Sequence, residues 1–215
     1  IAAKAPNQLI NENDYRIIFS LEGSDDKAHK QYIVDLMNDH LDEWMKAVGK
    51  APAYYIVEAN DAFAEDLAKE GNAKYKEYVE NVKTKYGKAY DVIGLTTINP
   101  YEKAKLYNDA LFNLYKDKNV DGYIKAMQTY FEKMGSNLQA ADYGKAAQNL
   151  YAAAGKVLKP KDHEVAIQWV EKALAQDDAI MDRVIYMVMI GDSYREMKNY
   201  AKARQYYHQG LSETR

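Results

Sequence analysis

Residues 184–215 decide the fold, and they read VIYMVMIGDSYREMKNYAKARQYYHQGLSETR. Two segments with helical periodicity flank Lys198-Asn199, and small residues recur on both, at Gly191 in the first and at Ala203 and Gly210 in the second. Antiparallel helices approach to roughly 8–10 Å only where side chains are small, and bulky side chains then fill the flanking grooves. The stretch therefore predicts a closely packed helical hairpin.

The same periodicity extends backwards over most of the chain. Only four prolines and eleven glycines are present among 215 residues, and they fall mostly between periodic segments. Two short apolar runs, residues 15–19 and 53–57, cannot be assigned by periodicity alone, and their context predicts helix. About ten helices joined by short connections must be antiparallel neighbours. The sequence predicts an all-α chain of about five antiparallel helical hairpins.

Capping residues place the boundaries of the early helices. One helix is predicted from Ser24, as its N-cap, to Val48, with Gly49 ending it. His40 falls on the apolar stripe of that helix, between Met37 and Trp44, so we expect a packed core histidine rather than a metal ligand. Pro52 predicts the first turn of the next helix.

Later boundaries are predicted in the same way. Asn99-Pro100 combines an N-cap residue with a proline at the first helical position. Ser136 with Gln139 fits a capping box, and Asp162 fits the cap of the helix that follows Pro160. The last two helices are predicted to run from about Asp178 to Met197 and from about Asn199 to Thr214.

Equivalent alanines give the chain a period. Ala126, Ala166 and Ala203 occupy corresponding positions in successive second helices, at separations of 40 and 37 residues. A unit of this length is a helical pair that must stack on its neighbours to bury its outer face. The sequence predicts two regions, residues 1–98 with irregular hairpins and residues 99–215 with repeats, within one continuous solenoid.

Residues 184–215 resemble a tetratricopeptide repeat. Met187 stands where the family has Trp, and the family's small and aromatic positions are matched by Gly191, Tyr194, Ala203, Tyr207 and Gly210. The hairpin before it resembles a degenerate repeat, and no repeat signature precedes Asn99. The resemblance implies a right-handed α-α superhelix that is repeat-like at its C-terminal end.

The resemblance also implies a concave groove lined by the first helix of each unit. In the last unit the groove candidates are Ile185, Val188, Asp192 and Arg195. In the family's peptide-carboxylate clamps, an asparagine occupies the position of Asp192. Because an acidic side chain there repels a carboxylate, we expect that a C-terminal carboxylate is not the ligand. A second resemblance, of residues 60–115 to the helical region of bacterial envelope thioredoxin-like proteins, is carried by no motif.

Charge and composition bear on the function classes. The net charge of −3 arises from 32 acidic and 29 basic residues mixed along the chain, without a basic block, so nucleic acid is not an expected partner. Cysteine is absent, which excludes disulfides and thiolate catalysis. No apolar run approaches the roughly 20 residues of a membrane helix. The sequence begins at Ile1 without methionine, and we expect an exported protein of the periplasm or cell envelope, or an excised part of a longer chain.

Catalytic patterns are not found in the sequence. It has no glycine-rich phosphate loop, no nucleophile elbow and no His-Glu-x-x-His pattern, and its acidic pairs are neighbours at helix ends or on polar faces. We expect no catalytic residue, no cofactor and no metal site. The predicted function is a non-catalytic scaffold that binds another protein or peptide in its groove. The alternatives are a helical accessory domain of a longer exported thioredoxin-like protein and an all-α enzyme acting on a polymer such as a glycan.

Overall fold

The computed structural model describes residues 10–20, 27–94, 98–176 and 179–214. These residues form eleven α-helices and two single turns of 3-10 helix, packed as antiparallel neighbouring pairs, so the all-α prediction is confirmed. The helices are α1 (Glu12–Ser20), α2 (Lys27–Asp39), α3 (Leu41–Val48), α4 (Ala51–Lys69), α5 (Tyr75–Ile93), α6 (Pro100–Asp117), α7 (Val120–Met134), α8 (Ala140–Ala154), α9 (Pro160–Leu174), α10 (Ile180–Glu196) and α11 (Tyr200–Glu213).

The chain divides into two compact units, residues 1–108 and residues 109–215, and the boundary falls inside α6. None of the described helices is long and apolar enough to cross a membrane. The predicted division of the chain into residues 1–98 and 99–215 stays a prediction, because the two compact units describe how the helices pack and do not test where the repeats begin.

The first unit is built around the α4–α5 pair. Its core includes Met37, Trp44, Ile56 and Tyr90, all of which are buried. Both short apolar runs that periodicity could not assign lie in helices, residues 15–19 in α1 and residues 53–57 in α4. The prediction of helix for these runs is confirmed.

The predicted single helix from Ser24 to Val48 is wrong in one respect. Its backbone leaves the helical conformation at His40, with φ −125° and ψ 33°, so the segment forms α2 and α3. The break shifts the apolar stripe by one residue, and Leu41 takes the buried position beside Trp44. His40 is consequently half-buried at the start of α3 and is not a core residue. Ser24 lies outside the described residues.

The second unit packs aromatic rings between its helices. The ring centroid of Phe131 lies 4.6 Å from that of Tyr143 and 5.5 Å from that of Trp169, which joins α7, α8 and α9. The hydroxyl of Tyr130 donates to Asp142 at 3.1 Å, and that of Tyr123 donates to the carbonyl of Ala146 at 2.9 Å. Tyrosine therefore fills interhelical space while its polar end reaches a neighbouring helix.

Local capping signals found most boundaries correctly. Asn99 accepts from the backbone N–H of Tyr101 at 2.9 Å, and Asn119 and Asn199 accept from the third residue beyond them. Gly49 ends α3 with φ +72°, a left-handed conformation that favours glycine. Pro52 lies in the first turn of α4, as predicted.

Two predicted caps are corrected. The capping box of Ser136 with Gln139 is wrong, because residues 135–137 form a 3-10 turn and α8 starts only at Ala140, where the carboxylate of Asp142 accepts from the N–H of Gln139 at 2.9 Å. Asp162 is not the residue before its helix. It lies in the first turn of α9 and accepts from the N–H of Lys159 at 2.8 Å. The predicted start at Asp178 lies outside the described residues.

Candidate functional site

A cleft of about 760 Å³ opens between the C-terminal ends of α8 and α10 in the second unit. We call it the α8–α10 cleft. Its lining residues come from the turn after α6, from α8 and the 3-10 turn that follows it, from the start of α9, and from the second half of α10. They are Lys118, Gln148, Tyr151, Ala152, Ala153, Ala154, Gly155, Lys156, Val157, His163, Met189, Asp192, Ser193 and Glu196. The volume lies within the range of roughly 300–1,000 Å³ that is usual for ligand sites.

Two contacts fix α8 against α10. A Cβ atom added to Gly144 would lie 2.6 Å from Cε1 of Tyr186, so the absent side chain lets the two helices meet. The hydroxyls of Tyr151 and Ser193, two residues that line the cleft, hydrogen bond to each other. Both pairs are separated by 42 residues in sequence. A constant separation means that α8 and α10 run in the same direction with a single register.

Small side chains create the space beyond this contact. Residues 152–155 read Ala-Ala-Ala-Gly, and Ala152 is exposed at the surface of the cleft. Val157 is 61% exposed at its edge. Because the side chains of residues 152–155 are short, this part of α8 and the turn after it leave a trough that α10 does not fill. The resulting surface is mainly apolar.

Tyr151 and His163 form one wall of the cleft. Their rings stack at a centroid distance of 6.0 Å with an interplanar angle of 26°. The Ser193 hydroxyl donates to the carbonyl of Met189 at 3.1 Å, so the proton between Ser193 and Tyr151 is donated by Tyr151. Burial raises the pKa of Tyr151 to about 12. This hydroxyl therefore stays protonated at neutral pH and holds the wall in place.

His163 is only 5% exposed, and its Nδ1 atom is buried without a hydrogen-bond partner. Burial lowers the pKa of His163, although Glu196 and Asp162 act in the opposite direction. The imidazole is neutral at pH 7 as a result. Most buried polar atoms in proteins have a hydrogen-bond partner. The unpartnered Nδ1 atom of His163 is an exception, and it marks a place in the wall of the cleft where one hydrogen bond is missing.

The predicted groove residues all lie on α10. Ile185 and Val188 are each 40% exposed, and Asp192 lines the cleft. Asp192 accepts a hydrogen bond from the hydroxyl of Tyr207 at 2.7 Å and lies 3.1 Å from a guanidinium nitrogen of Arg195. Arg195 also contacts Glu196 at 3.3 Å. The structure therefore joins Asp192 and Arg195 in an ion pair and leaves Ile185 and Val188 on an exposed face.

The two adjacent tyrosine pairs behave differently. Tyr54 is 47% exposed while Tyr55 is buried, so one of this pair faces outwards. Tyr206 and Tyr207 are both partly buried: Tyr206 stacks on Tyr194 at 5.7 Å, and Tyr207 donates to Asp192. Side chains of α10 therefore contact both members of this second pair.

Several residues of the cleft do not follow from sequence reasoning, among them Lys118, Lys156 and His163. The run of small residues at 152–155 was the signal available for the trough. Among the residues that the structure describes, no group of three or more histidine and carboxylate side chains is arranged to hold a metal ion. Comparison with known proteins finds no matching family model, no matching curated protein and no matching solved structure.

Proposed function

We propose that this chain is a non-catalytic scaffold that binds another protein or peptide, and that the α8–α10 cleft receives the bound segment. The observation that carries the proposal is an open, mainly apolar trough, with Ile185 and Val188 each 40% exposed one helical turn before its lining residues Met189 and Asp192 on α10. Exposed apolar surface that adjoins a concave site is typical of an interaction surface. A segment lying along α10 would cover both.

A tetratricopeptide-like superhelix is part of the same proposal. It is supported by the common direction and constant 42-residue register of α8 and α10, which are the first helices of successive hairpins. Further support comes from the small residues of the last hairpin. Gly191 lies directly against Tyr207, and a Cβ atom at Gly210 would lie 3.6 Å from that of Met187. In such a stack the first helices line the concave face.

We also propose that the chain is not an enzyme, because of the way in which the carboxylates of the cleft are arranged. A polymer-cleaving pair of carboxylates must face each other across the substrate. The carboxylates that line the α8–α10 cleft, Asp192 and Glu196, lie one turn apart on the same helix and both contact Arg195. This geometry supports binding rather than hydrolysis.

The proposal is tested by filling the trough. Ala152 is exposed and lines the cleft, so Ala152→Trp should block it without disturbing the core. The matched control is Ala201→Trp, at an exposed position of α11 outside the cleft. Affinity capture with quantitative mass spectrometry should show proteins that the wild type and the control retain and the blocked variant loses. An identical captured set for all three chains would contradict the proposal.

A further inference from the structure

In the part of the α8–α10 cleft that the structure describes, the carboxylates already have partners within the protein, whereas several N–H donors do not. In the described part of the chain, the carboxylates of the cleft are already engaged: Asp192 accepts from Tyr207 and pairs with Arg195, and Glu196 contacts the same arginine. The Ser193 hydroxyl is engaged with Met189 and Tyr151. The carboxylates of the cleft are therefore held by the protein itself and share one cation.

The donors of the cleft are free. Within the described residues, Lys118 and Lys156 form no ion pair, and Gln148 is exposed with no side-chain hydrogen bond. The ammonium of Lys118 lies 5.7 Å from the centroid of the Tyr115 ring, a cation–π contact that holds it in place without satisfying its three N–H groups. Two ammonium groups and an amide thus remain to donate to a ligand.

The neutral His163 adds to this imbalance. Its Nδ1 is buried and unpartnered in the same wall, and the two acids that act on the imidazole, Glu196 and Asp162, favour its protonated form. A negative charge in the cleft favours the protonated imidazole, in which both ring nitrogens are donors. The cleft therefore offers two lysine cations and one inducible cation, against two carboxylates of which Arg195 offsets one charge.

This arrangement changes the meaning of Asp192. Its acidic character led us to expect repulsion of a carboxylate ligand, but the ion pair with Arg195 at 3.1 Å and the hydrogen bond from Tyr207 place its charge in an internal network. The charge of the ligand that suits the cleft is then determined by Lys118 and Lys156. The same cleft is lined by the small apolar residues Ala152, Ala153 and Ala154.

We propose that the α8–α10 cleft selects an acidic, extended peptide segment, with apolar side chains over the alanines of α8 and carboxylates toward Lys118 and Lys156. The proposal rests on the function proposed above and names the chemistry of the partner. The bound peptide is an internal segment of its own protein, because acidic side chains rather than a chain terminus supply the negative charge.

The test uses the whole chain and fluorescein-labelled, amidated peptides of about twelve residues. The peptides share the same leucines and differ only in carrying glutamate, glutamine or lysine between them. Fluorescence anisotropy should show the glutamate peptide binding about tenfold tighter than the lysine peptide at low salt, with the difference shrinking as salt is added. Equal affinities, or a preference for lysine, would overturn the proposal.

Substitutions of the two lysines of the cleft test whether these residues cause the preference for the glutamate peptide. Lys118→Gln combined with Lys156→Gln should weaken binding of the glutamate peptide about fivefold, because exposed ion pairs each contribute modestly, and should leave the glutamine peptide unaffected. The matched control is Lys145→Gln, an exposed lysine of α8 that does not line the cleft. Each lysine of the cleft also follows the last turn of a helix, where a cation is favourable, so melting temperatures are recorded alongside.

The outcomes separate the two proposals. If the peptides bind without regard to charge and Ala152→Trp abolishes that binding, the acidic ligand is wrong while the scaffold stands. If no peptide binds at all, the scaffold function itself is contradicted. As a further readout, the imidazole of His163 should titrate at higher pH in the presence of the glutamate peptide than in its absence, by nuclear magnetic resonance. An unchanged titration would contradict the proposed position of the carboxylates.

Discussion

The ring of Tyr207 packs directly against Gly191, so closely that a Cβ atom at Gly191 would lie 2.5 Å from Cε1 of the ring. The tyrosine hydroxyl continues past the glycine to donate to Asp192 at 2.7 Å. One glycine thereby allows α11 to approach α10 and positions the hydrogen bond that engages a carboxylate of the cleft. Helix packing and the electrostatics of the cleft are linked through this contact.

Replacing Gly191 should therefore destabilise the protein. We expect Gly191→Leu to lower the free energy of unfolding by about 1–3 kcal/mol, because an added side chain overpacks the crossing of α10 and α11. Gly87→Ala is the control, since it lies inside α5 with no atom within 4 Å of an added Cβ. Alanine should be neutral there or stabilising by up to about 1 kcal/mol. Equal effects of the two changes in denaturant unfolding would contradict the close contact.

A partly buried carboxyl group should make the first unit sensitive to pH. Asp61 on α4 accepts a hydrogen bond from the hydroxyl of Tyr90 at 2.7 Å, and burial raises the pKa of Asp61 to about 6, although Lys103 opposes the rise. In the unfolded chain the pKa is about 3.9. As pH rises from about 4 to 6 the unfolded state releases this proton first, so the folded state loses stability over that window.

Asp61→Asn tests this dependence. The amide oxygen still accepts from Tyr90, and the variant never ionises. We expect the free energy of unfolding at pH 7.5 to rise by about 1–3 kcal/mol relative to the wild type, and the difference to vanish below pH 4. Glu80→Gln, at an exposed position of α5, should show no such growth with pH. A constant offset between wild type and Asp61→Asn at all pH values would refute the buried titration.

The sequence predicted those features that depend on neighbouring residues. Gly49 and Asn199 mark helix ends through backbone conformation and local hydrogen bonds, and the structure contains both ends. The break at His40 was missed because tertiary packing selects Leu41 for the buried position, and the 3.6-residue period fits either residue. Periodicity identifies a buried face but does not fix the register of that face after an interruption.

The wall of the cleft could not be predicted for a related reason. Tyr151 and His163 lie on different helices, and only their stacking makes an imidazole at a helix start part of a concave surface. Likewise, Asp192 carried a local signal of negative charge, while its partner Tyr207 lies on the next helix. Contacts between helices determine which charges remain available, and a single sequence does not contain them.

His163 should give the second unit the opposite pH dependence. Burial lowers its pKa, so below the ordinary value of about 6.5 the unfolded chain binds a proton that the folded chain does not. Stability then falls as pH falls through that value. His163→Phe keeps a ring beside Tyr151 and removes the unpartnered nitrogen, so it should lessen the loss of stability between pH 7.5 and 5.5. His208→Gln, at an exposed site, is the control. Parallel curves for wild type and His163→Phe would contradict this assignment.

The partly exposed apolar side chains of α10 should contribute to binding as well as to stability. Ile185 and Val188 are each 40% exposed, so changing both to serine also removes buried apolar area and should lower the free energy of unfolding by about 1–3 kcal/mol in total. A bound segment would bury their remaining apolar area, which stabilises a complex by about 25 cal/mol per Å². We therefore expect clearly weaker capture of the proteins that Ala152→Trp also loses.

The matched control is Leu211→Ser, because Leu211 is 61% exposed on α11 and does not line the cleft. It removes an apolar side chain of similar size from the surface and should leave capture unchanged. Quantitative mass spectrometry of the captured proteins and thermal unfolding are measured for both variants. Weaker capture with Leu211→Ser to the same degree would show that binding depends on general surface hydrophobicity, and the assignment of the α10 face would then be wrong.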